Sequence, residues 1–143
     1  MDFVLSRLVV GAFNEVATVP GTITAVLSLC ERQPDPVAQC LMLHAPIPDE
    51  VELSATTWEE LTTCLTRLLA HGHTVFVHCR LGKSRSPALC AAHLIRCGYT
   101  PENALAIVQK AHAYTCVHPE TWKSVLRWWA SKKTSLEMAE TIP

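Results

Sequence analysis

The chain has 143 residues, 49% hydrophobic and 17% charged, with a formal net charge of -1. That length suits one domain with a real core, and the composition excludes a disordered chain. The near-neutral charge supplies no global basic field for nucleic acid or an acidic membrane, and no apolar run reaches the roughly 18 residues that a membrane helix needs.

Taken in order, Val4-Leu5 and Leu8 to Val10 read as one or two short strands ending at Gly11. Asn14 to Val19 suits a short helix, closed by Pro20-Gly21. Thr22 to Leu29 is β-branched and apolar, the pattern of a central strand, and Gln33-Pro34-Asp35-Pro36 is a loop. Ala38 to His44 reads as another strand, running into Ala45-Pro46-Ile47-Pro48-Asp49-Glu50. Two prolines there remove backbone donors and exclude helix or central strand. Thr57 with Glu60 three residues later predicts a capping box, and Leu61, Leu65, Leu68 and Leu69 then recur at helical spacing up to Gly72.

Val75 to Val77 is the next strand, and Ser86 to Cys97 the next helix, capped by Gly98. Thr100-Pro101-Glu102 is a helix start, with Thr at the cap, Pro in the first position and an acid in the first turn. His118-Pro119-Glu120 opens the last helix, predicted to bury Trp122, Val125, Leu126 and Trp129 on one face and to fray after Lys133. Trp128 with Arg127, Lys132 and Lys133 is expected to be a core-edge aromatic beside cations at a helix C-terminus. Strands interspersed with helices, then a run of helices, predict an α/β fold: one domain over 1–143, a central, mostly parallel sheet with helices on both sides.

Seven cysteines, an odd number in no CxxC or metal-ligand spacing, read as reduced and mostly buried thiols in a reducing compartment. No secretory or lipidation signal is read either, so a cytoplasmic protein without metal or cofactor is expected. His71 and His73 flank a turn and read as surface residues, while His93 and His112 read as satisfied structural ones.

The chemistry concentrates between Val75 and Pro87. A loop opens on Cys79 and closes on Arg85, between a strand and a helix. Such a joint points backbone N–H groups at one spot and aims the positive end of a helix dipole there. A thiolate is the nucleophilic form of cysteine, and helix N-termini with nearby cations pull a thiol from about 8.5 to roughly 3.5–7.5. Arg85 offers a planar fork for two oxygens of a phosphate. Gly82 can take positive φ and turn amides inward. Ser86 can donate to the cysteine sulfur as it leaves, and His78 is placed to orient the loop from behind. Together these make a site for phosphoryl transfer to sulfur, with Arg80, Leu81, Gly82, Lys83, Ser84 and Arg85 around the phosphate.

His78-Cys79-Arg80-Leu81-Gly82-Lys83-Ser84-Arg85-Ser86 resembles the HCxxGxxR[ST] signature of cysteine-based protein tyrosine phosphatases, especially the small dual-specificity branch. The reaction also needs a proton donor on a loop. Asp49, thirty residues before Cys79 on the proline-bounded loop, resembles the general-acid aspartate of that branch in spacing and setting; Glu50 and Glu52 are its rivals. The resemblance implies a metal-independent phosphomonoester hydrolase acting on phosphotyrosine and on phosphoserine or phosphothreonine in proteins. Basic residues at Arg80 and Lys83 are also similar to those of some phosphoinositide and phosphatidylglycerophosphate phosphatases, so a phosphorylated lipid or other small phosphate is the alternative. A non-catalytic phosphate-binding module would show loss of the cysteine, the arginine or the acid, and all three have candidates here. A rhodanese-type sulfur carrier also runs a loop from Cys to Arg, but Gly82, Ser86 and an upstream acid fit the dual-specificity pattern better.

Overall fold

The computed structural model describes residues 1–141. The chain opens as a hairpin, β1 (Asp2–Leu5) antiparallel to β2 (Leu8–Ala12). A 3-10 helix (Phe13–Thr18) follows, then β3 (Ala25–Ser28), β4 (Leu41–His44), α1 (Ala55–Ala70), β5 (Val75–Cys79), α2 (Arg85–Arg96), α3 (Pro101–Ala111) and α4 (Pro119–Thr141). The five strands form one sheet in the order β1-β2-β5-β3-β4, every pair but the first parallel. β5 takes the centre because it is apolar on both faces, as a strand covered on both sides must be.

The strand period of two splits the core. Leu8, Val10, Ala25, Leu27, Val75 and Val77 face a large cluster built with α1, α2, α3 and α4. Val9, Val26 and Phe76 face a smaller one with Val16 of the 3-10 helix and Ile23. The four α-helices thus share one face, and the 3-10 helix with the segment after it covers the other. Because β2, β3 and β5 run parallel, their carboxyl ends meet along one edge, where α/β folds place their ligands.

Several boundaries differ from the sequence expectation. α1 begins at Ala55: Ser54 Oγ accepts the Thr57 amide at 3.1 Å, so Ser54 and not Thr57 is the cap. β3 starts only at Ala25, because Thr24 turns its hydroxyl to the Thr74 amide and to His73. β4 starts at Leu41, since Gln39 adopts φ 64°, which no strand residue can hold. α4 runs on through Thr141 instead of fraying after Lys133. Its buried face carries Val125 and Trp128, while Leu126 is exposed and Trp122 and Trp129 are half-buried. Trp128 Nε1 donates to Glu59 Oε2 at 2.9 Å, and Trp58 Nε1 donates to Ser124 Oγ at 2.9 Å, lacing α4 to α1. All seven cysteines are free; Cys30, Cys79 and Cys90 are buried, whereas Cys97 and Cys116 are exposed. The expected cap at Thr100 forms, its hydroxyl accepting the Asn103 amide at 3.2 Å.

The lacing has a measurable consequence. Ser124→Ala leaves the Trp58 N–H buried without an acceptor and is expected to cost about 1–3 kcal/mol. Leu126→Ala on the exposed side is expected to stay within about 0.5 kcal/mol. Urea denaturation of the two variants checks the difference.

Candidate active site

The loop Arg80–Ser84 links the end of β5 to the start of α2. The carbonyl groups of Arg80, Gly82, Lys83 and Ser84, with that of Cys79 before them, are turned outward and held. The Cys79 carbonyl meets His78 Nδ1 at 3.1 Å. That of Arg80 accepts from the Phe13 amide at 3.2 Å, and that of Lys83 from the Cys116 amide at 2.8 Å. Gly82 O meets His112 Nε2 at 2.7 Å, and Ser84 O accepts from the Ala88 amide at 2.9 Å. A trans peptide sends its N–H opposite to its C=O. The amides of Arg80, Leu81, Lys83, Ser84 and Arg85 therefore face away from these partners, toward the inner side of the loop. Gly82 makes the turn with φ 72°, and a Cβ there would lie 2.9 Å from the backbone C and O of Gly11. Only glycine fits.

Cys79 lies at the mouth of this hollow, almost fully buried, its Sγ 3.2 Å from Ser86 Oγ. The Ser86 hydroxyl also donates to Gly11 O at 3.1 Å. It carries a single proton, so donating to an ionised sulfur requires turning away from Gly11. Arg85 is fixed from one side: Nη1 donates to Glu31 Oε1 at 2.9 Å and to Ile47 O at 3.0 Å. Its Nε is buried with no hydrogen-bond partner, and Asp49 Oδ1 stands 3.6 Å away, an ion-pair distance beyond hydrogen-bond reach. A buried donor without an acceptor is costly. An anion in the hollow would satisfy it.

Backbone hydrogen bonding, with the charges of Arg85 and Arg80, holds the Glu31 carboxyl below its ordinary range against the opposing effect of burial. His78 sits behind the loop, fully buried and stacked on Phe76 with ring centroids 5.7 Å apart. Its Nδ1 faces a carbonyl and its Nε2 the Ser28 hydroxyl at 2.6 Å, a pattern that a neutral ring satisfies. Burial pushes the His78 pKa below the ordinary imidazole value.

The pocket over Cys79, about 290 Å³, is lined by Asp49, Glu50, Leu81, Lys83 and Arg85 and closed by residues 116–119. Cys79, Arg85, Ser86, Lys83 and Asp49 thus come together. Asp49 is half exposed, and its Oδ1 accepts the amide of Glu50, a residue at φ 59°. Of its rivals, Glu50 lines the pocket, whereas Glu52 is paired to Lys123 at 3.3 Å and Arg127 at 2.7 Å. The Arg80 side chain lines a neighbouring cavity of about 870 Å³ with Glu31 and Arg32, and brings only its amide to the loop's inner side. Leu81, 59% exposed, stands on the rim between the two. Among the described residues no group of three His, Cys, Asp or Glu side chains gathers to hold a metal.

Sequence reasoning missed Glu31, the Ile47 carbonyl, His112 and the closing segment Cys116 to Pro119. Glu31 lies three residues beyond the end of β3 and no local pattern marks it. His118-Pro119 was legible as a helix start, but its amide donates to Ser84 Oγ at 2.9 Å, a contact visible only in three dimensions.

The family model for the dual specificity phosphatase catalytic domain matches residues 15–131. The chain belongs to this family. Its sequence is 37% identical over 51 residues to mouse phosphatidylglycerophosphatase and protein-tyrosine phosphatase 1, which covers 35% of this chain and 26% of that protein. The match therefore spans about a quarter of the curated relative. In fold, the chain is similar to human DUSP28, with TM-score 0.86 and 20% identity over 94% of this chain and 99% of that one. It is also similar to PTPMT1 in complex with PI(5)P, with TM-score 0.77 and 16% identity over 93% and 96% of the two chains.

Burial of neutral His78 predicts an acid limit to stability. Its folded pKa lies below the unfolded one, so the unfolded chain binds more protons once pH drops below about 6.5. Stability is therefore expected to fall as pH is lowered through that value, and less steeply in His78→Asn. Melting temperatures between pH 8 and pH 5 check this.

Proposed function

We propose that this phosphatase is a metal-independent phosphomonoester hydrolase acting through a cysteinyl-phosphate, with protein phosphotyrosine as its first substrate and phosphoserine or phosphothreonine also accepted. The observation that carries the reading is the buried Arg85 Nε, left without an acceptor beside Cys79 and the inward amides of the loop.

In the first step the Cys79 thiolate attacks phosphorus in line. Arg85 and the amides of the loop hold the equatorial oxygens, supplying the positive charge that a metal would otherwise supply. The bond from phosphorus to the leaving oxygen breaks, and Asp49 gives that oxygen its proton. In the second step the ionised Asp49 takes a proton from water, the water oxygen attacks phosphorus, and the sulfur–phosphorus bond breaks. Ser86 turns its hydroxyl from Gly11 O to the departing thiolate. Glu31 and the Ile47 carbonyl keep the guanidinium in place throughout.

Leu81, Val117 and Pro119 line the pocket and give an aryl leaving group an apolar wall. A second reading, a phosphorylated lipid or other small phosphate, is supported by the local identity to the mouse phosphatidylglycerophosphatase. A nucleophilic thiolate needs a reducing compartment, and seven free cysteines suit one; the cytoplasm is the location we infer.

Hydrolysis of p-nitrophenyl phosphate against pH, with EDTA and reductant present, tests the reading. Wild type is expected to turn over, Cys79→Ser to fall to background, and Asp49→Ala to lose about a hundredfold or more in kcat with a flattened basic limb. An inactive wild type would leave a phosphate-binding module. Faster release of phosphate from phosphatidylglycerophosphate vesicles than from phosphotyrosyl peptides would favour the lipid reading.

A further inference from the structure

His112 ends α3 and lies behind the loop, 6% exposed. Its Nε2 is 2.7 Å from Gly82 O and its Nδ1 is 2.6 Å from Asp2 Oδ2. Both partners, a peptide carbonyl and a carboxylate, accept hydrogen bonds. Both ring nitrogens must then donate, which makes the ring an imidazolium. The C-terminus of α3 favours that cation through its dipole. Asp2 comes from β1, at the opposite end of the chain, so the contact ties three distant segments together.

The peptide that His112 grips is the one least able to hold itself. Gly82, at φ 72°, has no side chain to bias its rotation. The carbonyls of Arg80 and Lys83 are anchored by the backbone amides of Phe13 and Cys116, whereas that of Gly82 is anchored by the His112 side chain. If the peptide between Gly82 and Lys83 flipped, a carbonyl oxygen would replace the Lys83 N–H on the inner side of the loop. An acceptor would then face the phosphate.

We propose that His112, held by Asp2, is a positioning residue that locks the Gly82–Lys83 peptide with its carbonyl outward and its N–H toward the substrate phosphate. The inference rests on the phosphatase reading for its meaning in catalysis, but the clamp itself is tested by anion binding alone. The charged groups around His112 are few. Asp2 pairs with it from β1, and Glu15 of the 3-10 helix, itself paired to the Met1 ammonium, feels its charge. The Tyr114 ring stands edge-on at 6.4 Å, with Lys83 Nζ 5.2 Å from the centre of that ring.

The test uses the full chain as wild type, His112→Leu, His112→Gln and Asp2→Asn. Sulfate binding is measured by calorimetry at a single pH, and kcat and KM are measured with p-nitrophenyl phosphate. His112→Leu is expected to weaken sulfate binding and lower kcat/KM by about tenfold, the cost of a lost hydrogen bond to a buried group. His112→Gln, whose amide can still donate to Gly82 O, is expected to recover most of both. Asp2→Asn, which puts a neutral amide in place of the carboxylate on Nδ1, is expected to weaken sulfate binding by less than His112→Leu does. A folded His112→Leu protein with wild-type sulfate affinity and kcat/KM would overturn the proposal. Should His112→Leu fail to fold, an Asp2→Asn protein with wild-type sulfate affinity and kcat/KM would overturn it instead. An inactive wild type whose sulfate affinity still depends on His112 would sink the phosphatase reading and leave the clamp standing.

Discussion

A buried guanidinium held from one side and left open on the other is the constraint to which the rest of this site answers. Burying a charge costs several kcal/mol unless it is paired and hydrogen-bonded. Glu31 and the Ile47 carbonyl meet that need at Arg85 Nη1, while Nε has Asp49 at 3.6 Å but no hydrogen-bond acceptor. Glu31 follows β3 and Ile47 follows β4, so the arginine sits where the carboxyl ends of neighbouring parallel strands converge. A sheet in another strand order would not bring these groups to the first turn of α2.

The loop follows the same logic with backbone groups. Fixing the carbonyls outward leaves the amides on the inner side, beside the open edge of Arg85. The fixing comes from several elements: the 3-10 helix through Phe13, α3 through His112, and the segment before α4 through Cys116. α2 is buried along almost its whole length, and its Ala-rich surface lets it lie close against β2 and β5 with its N-terminus under the hollow. Packing energy in the core thereby holds an electrostatic arrangement at the surface, which is the preorganisation that phosphoryl transfer requires.

Much of this was legible because it is local. The strand, the Cys-to-Arg loop, the start of α3 at Thr100 and the proline-bounded loop of Asp49 are each encoded within about ten residues. What was not legible depends on phase or on distance. Whether α4 buries Trp128 or Leu126 turns on a rotation of one residue, and hydrophobicity alone favours neither; the bond from Trp128 to Glu59 decides it. Ser54 precedes Thr57 with equal capping chemistry, and the chain direction after Val51 selects it. Arg80 is a long cation next to the nucleophile, yet its side chain lines the neighbouring cavity with Glu31 and Arg32, residues far away in sequence. Glu31 and His112 gained their roles only when the sheet set β3 directly beside β5 and β1 two places away on the other side.

The central claim is that phosphate passes through the sulfur of Cys79. Rapid acid quenching of Ser86→Ala during turnover of a radiolabelled phosphotyrosyl peptide, followed by peptide mapping, tests it most directly. The account predicts label on the peptide that carries Cys79, accumulating in Ser86→Ala because departure of the thiolate is slowed, and absent when Cys79 is also replaced by Ser. Turnover without label on that peptide, or turnover that survives Cys79→Ser, would contradict it.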